Sequence, residues 1–175
     1  MRRLLLLRHA KTERDSVTGR DRDRALDARG RDDAAEIGAW LAGQPPAPER
    51  VLVSAAVRAR ETWDLLPAAL RAIPVEHRDD LYGAETGDLL DIIRTVDGDP
   101  ATLLVVAHNP GLHELALALV NGGDKAAWQE LNRNLPTGSL VTIDLPAEDW
   151  LDISLRSGRL AGLMTPKLLR AQSGA

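Results

Sequence analysis

The sequence predicts a single α/β domain of three layers, with a mostly parallel central sheet and helices on both faces. Three observations carry that expectation. Residues 4–7, 51–53 and, within the run 102–107, all positions after Thr102 are apolar at consecutive positions, as expected of central parallel strands covered on both faces. Stripes of apolar residues at helical spacing alternate with these runs. The chain has 175 residues, 44% of them hydrophobic, which is enough to bury one full core.

Taken in order, the first strand is Leu4-Leu5-Leu6-Leu7. Arg2-Arg3 before it resembles the opening of a secretion signal, but the run stops at Arg8, short of the roughly 7–15 apolar residues such a signal needs. Residues 20–24 alternate in charge and read as a solvated loop. Ala34, Ile37, Gly38 and Leu41 mark one face of a first helix, which Gly43-Gln44-Pro45-Pro46 ends. After the second strand, Ala59, Trp63, Leu66 and Leu70 repeat the helical spacing, and Pro67 should kink or split that segment. Leu89, Ile92, Ile93 and Val96 form a third stripe, closed by Asp97-Gly98-Asp99-Pro100. The helix expected over 110–120 is apolar nearly all round and so should be buried. Residues 139–145 alternate, with Val141, Ile143 and Leu145 on one face, predicting a half-exposed strand. Residues 159–164 predict an edge strand before Thr165-Pro166. With no linker, repeat or low-complexity segment, residues 1–175 read as one domain, with 171–175 a flexible tail.

Composition narrows the function. A net charge of -4 and a pI near 5.6 argue against a nucleic-acid partner, which calls for a broad basic surface. The absence of cysteine excludes disulfides, thiolate catalysis and cysteine-ligated zinc, and is compatible with the cytoplasmic location expected here. No stretch approaches the ~20 apolar residues of a membrane span, so no membrane partner is expected.

The chemistry gathers at the ends of the three apolar runs. Arg8-His9 follow the first, Arg58 follows the second and His108 follows the third. Ligands of open α/β sheets bind outside the carboxyl ends of the strands, so pairing of these runs would bring the four basic residues to one edge. A lone arginine there is best read as a salt-bridge partner, and a lone histidine as a structural group. Two of each at three strand ends describe an anion site, with phosphate the natural anion. A neutral imidazole can attack phosphorus in line, while arginines and a protonated second histidine hold the other oxygens. For His9 to attack through Nε2, an acceptor must hold its Nδ1–H, and a backbone carbonyl is expected in that role. Asn109-Pro110-Gly111 places His108 at the mouth of a helix whose free N–H groups favour an anion. Such a site supplies its own positive charge, so no metal or cofactor is expected.

These residues resemble the histidine phosphatase superfamily, the phosphoglycerate-mutase-like group. Its strand followed by Arg-His-Gly is here Leu7-Arg8-His9-Ala10. "VSAAVRARETWDLL" (53–66) resembles the family's Ser-x-x-x-x-Arg-Ala-x-x-Thr segment, assigning Ser54, Arg58 and Thr62 to it. "VVAHNPGL" (105–112) resembles the block of the second histidine, His108. Ala10, Asn109-Pro110, the compact length and "DRALDARG" (23–30) resemble the SixA-type phosphohistidine phosphatases in particular. The resemblance implies a phosphoryl-His9 intermediate, later hydrolysed, with Arg8, Arg58 and His108 both catalytic and substrate-binding. The implied partner is a protein carrying phosphohistidine.

Many members of the family place an acid between the second and third blocks, and Glu85 and Asp88 are the candidates here. Each is equally suited to capping the helix that follows. Phosphohistidine needs no such acid, because protonated imidazole already leaves well. Thr12 is a further candidate for touching phosphate, with Lys11 outside. His113 and Glu114 do not form H-E-x-x-H; His113 should pack on the buried helix and His77 face solvent. One alternative is a phosphomonoesterase acting on a small phosphorylated metabolite. A second, an inactive phosphate-binding domain, requires a lost nucleophile or arginine, and none is lost.

Overall fold

The parallel half of the sheet is built from β1 (Arg2–Arg8), β2 (Arg50–Ser54), β3 (Val75–Arg78) and β4 (Thr102–Ala107). It is completed by β5 (Val120–Gly123), β6 (Leu140–Leu145) and β7 (Gly158–Met164), in the order β3-β2-β4-β1-β6-β7-β5. The computed structural model describes residues 1–174. β1, β2, β3 and β4 run parallel, β6 is antiparallel to β1 and β7, and β5 pairs parallel with β7. The result is the mostly parallel α/β domain expected.

Side-chain alternation sorts each central strand between two cores. Leu4 and Leu6 of β1 join Leu52, Leu103 and Val105 on one face, beneath α4 (Thr86–Arg94), α5 (Gly111–Leu119) and α6 (Lys125–Arg133). Leu5 and Leu7 join Val51, Val53, Leu104 and Val106 on the other face, beneath α1 (Ala28–Ala42), α2 (Val57–Asp64), α3 (Ala68–Arg71) and α7 (Pro166–Ser173). Two buried faces explain why these strands read as unbroken apolar runs. Each fully buried leucine contributes about 1.5–3 kcal/mol relative to exposure, and Leu4, Leu6 and Leu7 are all 0% exposed.

The helices end where local chemistry ends them. The Asp27 carboxylate accepts the Gly30 N–H at 2.7 Å and caps α1, which closes at Gly43. Pro67 splits the second helical segment into α2 and α3. β6 is half-exposed as expected, with Val141, Ile143 and Leu145 buried and Thr142 and Asp144 partly open. The expectation for 159–164 is corrected, because β7 is interior. The short strand β5, beginning at Val120, pairs along its outer side. Residues 171–173 of the expected tail form the last turn of α7, and residue 175 lies outside the described residues.

One close approach fixes the segment behind the first strand. A Cβ on Gly30 would lie 1.9 Å from the Lys11 carbonyl oxygen, and the Asp27 N–H also donates to that carbonyl at 3.0 Å. The start of α1 thus presses on the chain just past His9. Gly30→Ala should cost about 1–3 kcal/mol by overpacking and lower the urea midpoint. An unchanged midpoint would show that the Lys11 backbone yields freely.

Candidate active site

The parallel register aligns the strand ends. Arg8 lies opposite Ala107, Val53 opposite Val106 and Ser54 opposite Arg78. The ladder continues one step past β1, where the His9 N–H donates to the Ala107 carbonyl at 3.1 Å. His9, Arg58 and His108 are buried at this rim, exposed by 7%, 6% and 8%. The two imidazole centroids are 5.1 Å apart. The structure therefore brings together the groups that the three strand ends suggested.

His9 is held in one tautomer. Its Nδ1 lies 2.8 Å from the Ala10 carbonyl oxygen, which can only accept, so Nδ1 carries the proton and Nε2 keeps its lone pair. The Ala10 N–H donates to Thr62 Oγ1 at 3.0 Å, and that hydroxyl donates to the Arg58 carbonyl at 2.7 Å. Thr62 thus fastens the histidine loop to α2. His108 Nε2 is 2.7 Å from the Ser54 hydroxyl, while its buried Nδ1 has no partner.

Electrostatics keep both rings uncharged. Burial first, then His108, Arg58 and Arg8, push the His9 pKa down to about 3 against a raising hydrogen bond from Ala10. Burial and the same arginines push His108 down to about 4. The second histidine, expected to be protonated, is therefore neutral without an anion, because burial first and two nearby guanidiniums second oppose its positive charge. Burial and Arg58 also push the Arg8 pKa down.

Arg8 is aimed by the segment before β6. Its Nη1 donates to the Leu135 carbonyl at 2.9 Å, and Asn109 Nδ2 donates to the same oxygen at 2.9 Å. Sequence reasoning missed this carbonyl, since a backbone acceptor leaves no side-chain signal. It also missed Asp21 and Tyr82. The stretch 20–24, read as a solvated loop, forms a short 3-10 turn over Asp21–Asp23. Asp21 is exposed, yet its carboxylate accepts from Arg58 Nη2 at 3.0 Å and from the Tyr82 hydroxyl at 2.7 Å. Charge alternation described the outer side of this loop and gave no hint of the inner one.

The remaining candidates lie further out. Thr12 Oγ1 accepts from Arg24 at 2.7 Å and makes no polar contact with His9, Arg58 or His108 among the described residues. Glu85 and Asp88 are exposed at the start of α4, where the Asp88 carboxylate accepts the Glu85 N–H at 3.1 Å. His113 Nε2 lies 2.6 Å from the Leu131 carbonyl, joining α5 to α6, and His77 is exposed. Among the described residues no helix is long and apolar enough to cross a membrane, and no cluster of three metal-ligating side chains occurs.

A family model of the histidine phosphatase superfamily (branch 1) matches residues 4–97. The chain belongs to that superfamily. It is 34% identical to an uncharacterised protein of Mycobacterium tuberculosis H37Rv, over 92% of this chain and all of the relative. Among solved structures, it superposes with a TM-score of 0.80 on a chain assigned as the phosphohistidine phosphatase SixA of Nakamurella multipartitia. That match is 30% identical and covers 94% of this chain and 96% of the other. The protein histidine phosphatase SixA solved with tungstate shares the fold, at a TM-score of 0.71, 24% identity and coverage of 95% and 99%.

Two buried neutral imidazoles at one sheet rim make a testable pH signature. In the unfolded chain both titrate near 6.5, so below that pH the unfolded state binds more protons than the anion-free fold. Stability should therefore fall as pH drops from about 6.5 toward about 4 for His108 and about 3 for His9, by at most about 1.4 kcal/mol per pH unit per ring. Urea unfolding between pH 7 and 5 should show this slope, flattened in His108→Gln. A bound oxyanion reverses the local charge, so vanadate binding near pH 6 should take up protons. Calorimetry in buffers of different ionisation enthalpy reads that uptake, and none would mean that neither ring faces the anion.

Proposed function

We propose that this protein is a phosphatase that works through a phosphoryl-His9 intermediate and acts on phosphohistidine carried by another protein. The observation that carries this reading is the His9 imidazole, buried, neutral and locked with its Nε2 lone pair free beside two arginines and His108. In the first step Nε2 forms a bond to phosphorus as the P–N bond to the substrate imidazole breaks, and the leaving ring keeps its proton. Arg8, Arg58 and a His108 that gains a proton hold the three equatorial oxygens. In the second step water attacks phosphorus, the His9–P bond breaks, and phosphate leaves with His9 neutral again.

The carboxylates support a phosphoramidate substrate. An alkoxide leaving group needs a proton, and general acid catalysis of that kind contributes ~10²–10⁴-fold. The Tyr82 hydroxyl, ahead of Arg58 and Arg24, helps hold the Asp21 pKa at about 2, so Asp21 is ionised at neutral pH and has no proton to give. Asp88 is engaged in capping α4. Phosphohistidine exchanges one P–N bond for another and proceeds without that help.

His9→Ala should abolish turnover and remove an acid-labile, alkali-stable phosphoryl group trapped on the enzyme, while the circular dichroism spectrum is retained. Wild-type turnover in that variant would end the mechanism. Phosphohistidine should be hydrolysed far faster than phosphoserine or sugar phosphates, with the rate unchanged by EDTA. A preference for an alkyl phosphate that is lost in Glu85→Gln/Asp88→Asn would point instead to a phosphomonoesterase acting on a metabolite. Arg58→Lys should lower activity strongly, since lysine lacks the planar fork that grips two oxygens.

A further inference from the structure

In the anion-free site Arg58 is already engaged with an anion. Its Nη1 donates to the Asp21 backbone carbonyl at 2.8 Å and its Nη2 to the Asp21 carboxylate at 3.0 Å. The same carboxylate oxygen accepts the Tyr82 hydroxyl at 2.7 Å, and the other accepts Arg24 Nε at 2.9 Å. The Arg58 and Arg22 guanidiniums lie 5.7 and 5.8 Å from the Tyr82 ring centroid, and that ring meets His108 edge-on at 5.7 Å. A second tie, the Arg22–Asp79 ion pair, joins the same two loops.

The two partners differ in freedom. The Arg58 side chain is 7% exposed and the Asp21 side chain 53%. The carboxylate can turn into water without opening the core, whereas the guanidinium cannot follow it. A phosphoryl group arriving at Arg58 brings two negative charges to the guanidinium that Asp21 already engages, and like charges that close repel.

We propose that Asp21 is an internal competitor for the phosphoryl group. Its carboxylate holds Arg58 when the site is empty, gives way when the phosphoryl group binds, and returns to help expel phosphate. This rests on the phosphatase reading above and adds a residue that sets affinity for substrate and product. A pocket of two arginines and two histidines would otherwise retain its own product. Tyr82 is the latch, since its hydroxyl holds the carboxylate in the competing position. Asp21 also acts on His108, whose protonation its charge favours.

The test compares the affinity of the full chain for inorganic phosphate and vanadate by calorimetry at pH 7. Asp21→Asn keeps the shape and removes the charge, so both oxyanions should bind about tenfold tighter, a gain of about 1.4 kcal/mol. Tyr82→Phe should tighten them in the same direction by less. In turnover, inhibition by phosphate should strengthen by the same factor in Asp21→Asn. Should that variant not fold, Tyr82→Phe carries the comparison, because it leaves the carboxylate in place but unlatched. Unchanged or weaker oxyanion binding would overturn the proposal and leave Asp21 a group that only orients Arg58. Binding is measured without catalysis. A protein that bound oxyanions as described but hydrolysed no phosphohistidine would sink the proposed substrate and leave the competition intact.

Discussion

Crowding of like charge is the constraint on which this site depends. Two guanidiniums and two imidazoles share a rim from which water is largely excluded, and their mutual repulsion has to be relieved before any anion arrives. Relief comes in three ways. Both rings stay neutral. The Leu135 carbonyl dipole takes Arg8, and the Asp21 carboxylate and carbonyl take Arg58. Burial, with the two guanidiniums behind it, is what keeps His108 uncharged while no anion is present.

The rim is also tied through its backbone. The His9 backbone continues the β1–β4 ladder, Thr62 links its loop to α2, and Gly30 packs directly on the Lys11 backbone. The first two ties use backbone N–H groups, those of His9 and Ala10, that would otherwise be buried without a partner. The direction of the His9 ring thus follows from backbone accounting as much as from the imidazole itself.

Much of this was legible in the sequence because the central strands are buried on both faces and their apolar runs are unbroken. His9, Arg8, Arg58 and His108 were legible because each follows such a run or opens the helix after it. β3 was not, since Val75-Glu76-His77-Arg78 lies at an open sheet edge and carries charge instead of an apolar pattern. β5 begins at Val120 and ends in two glycines, and α6 carries only two buried residues, Ala127 and Leu131. Asp21 and Tyr82 meet across sixty-one positions of chain, a distance that no local period reports. Glu85 and Asp88 stood out by residue type, but the capping role, which their spacing also allowed, is the one the structure shows.

The reversed strand β6 has a consequence for how this edge can vary. In an all-parallel sheet every loop arriving at the carboxyl rim leaves the end of a strand. Because β6 runs the other way, the rim instead receives the segment that enters it, and this segment brings the Leu135 carbonyl to Arg8 and Asn109. That segment belongs to the C-terminal half of the chain and contains none of the four basic residues. The same segment also donates the Gly138 N–H to the Arg8 and His9 carbonyls at 3.1 and 3.0 Å, so a substitution there would shift the Arg8 fork and the His9 backbone together while leaving all four basic side chains unchanged.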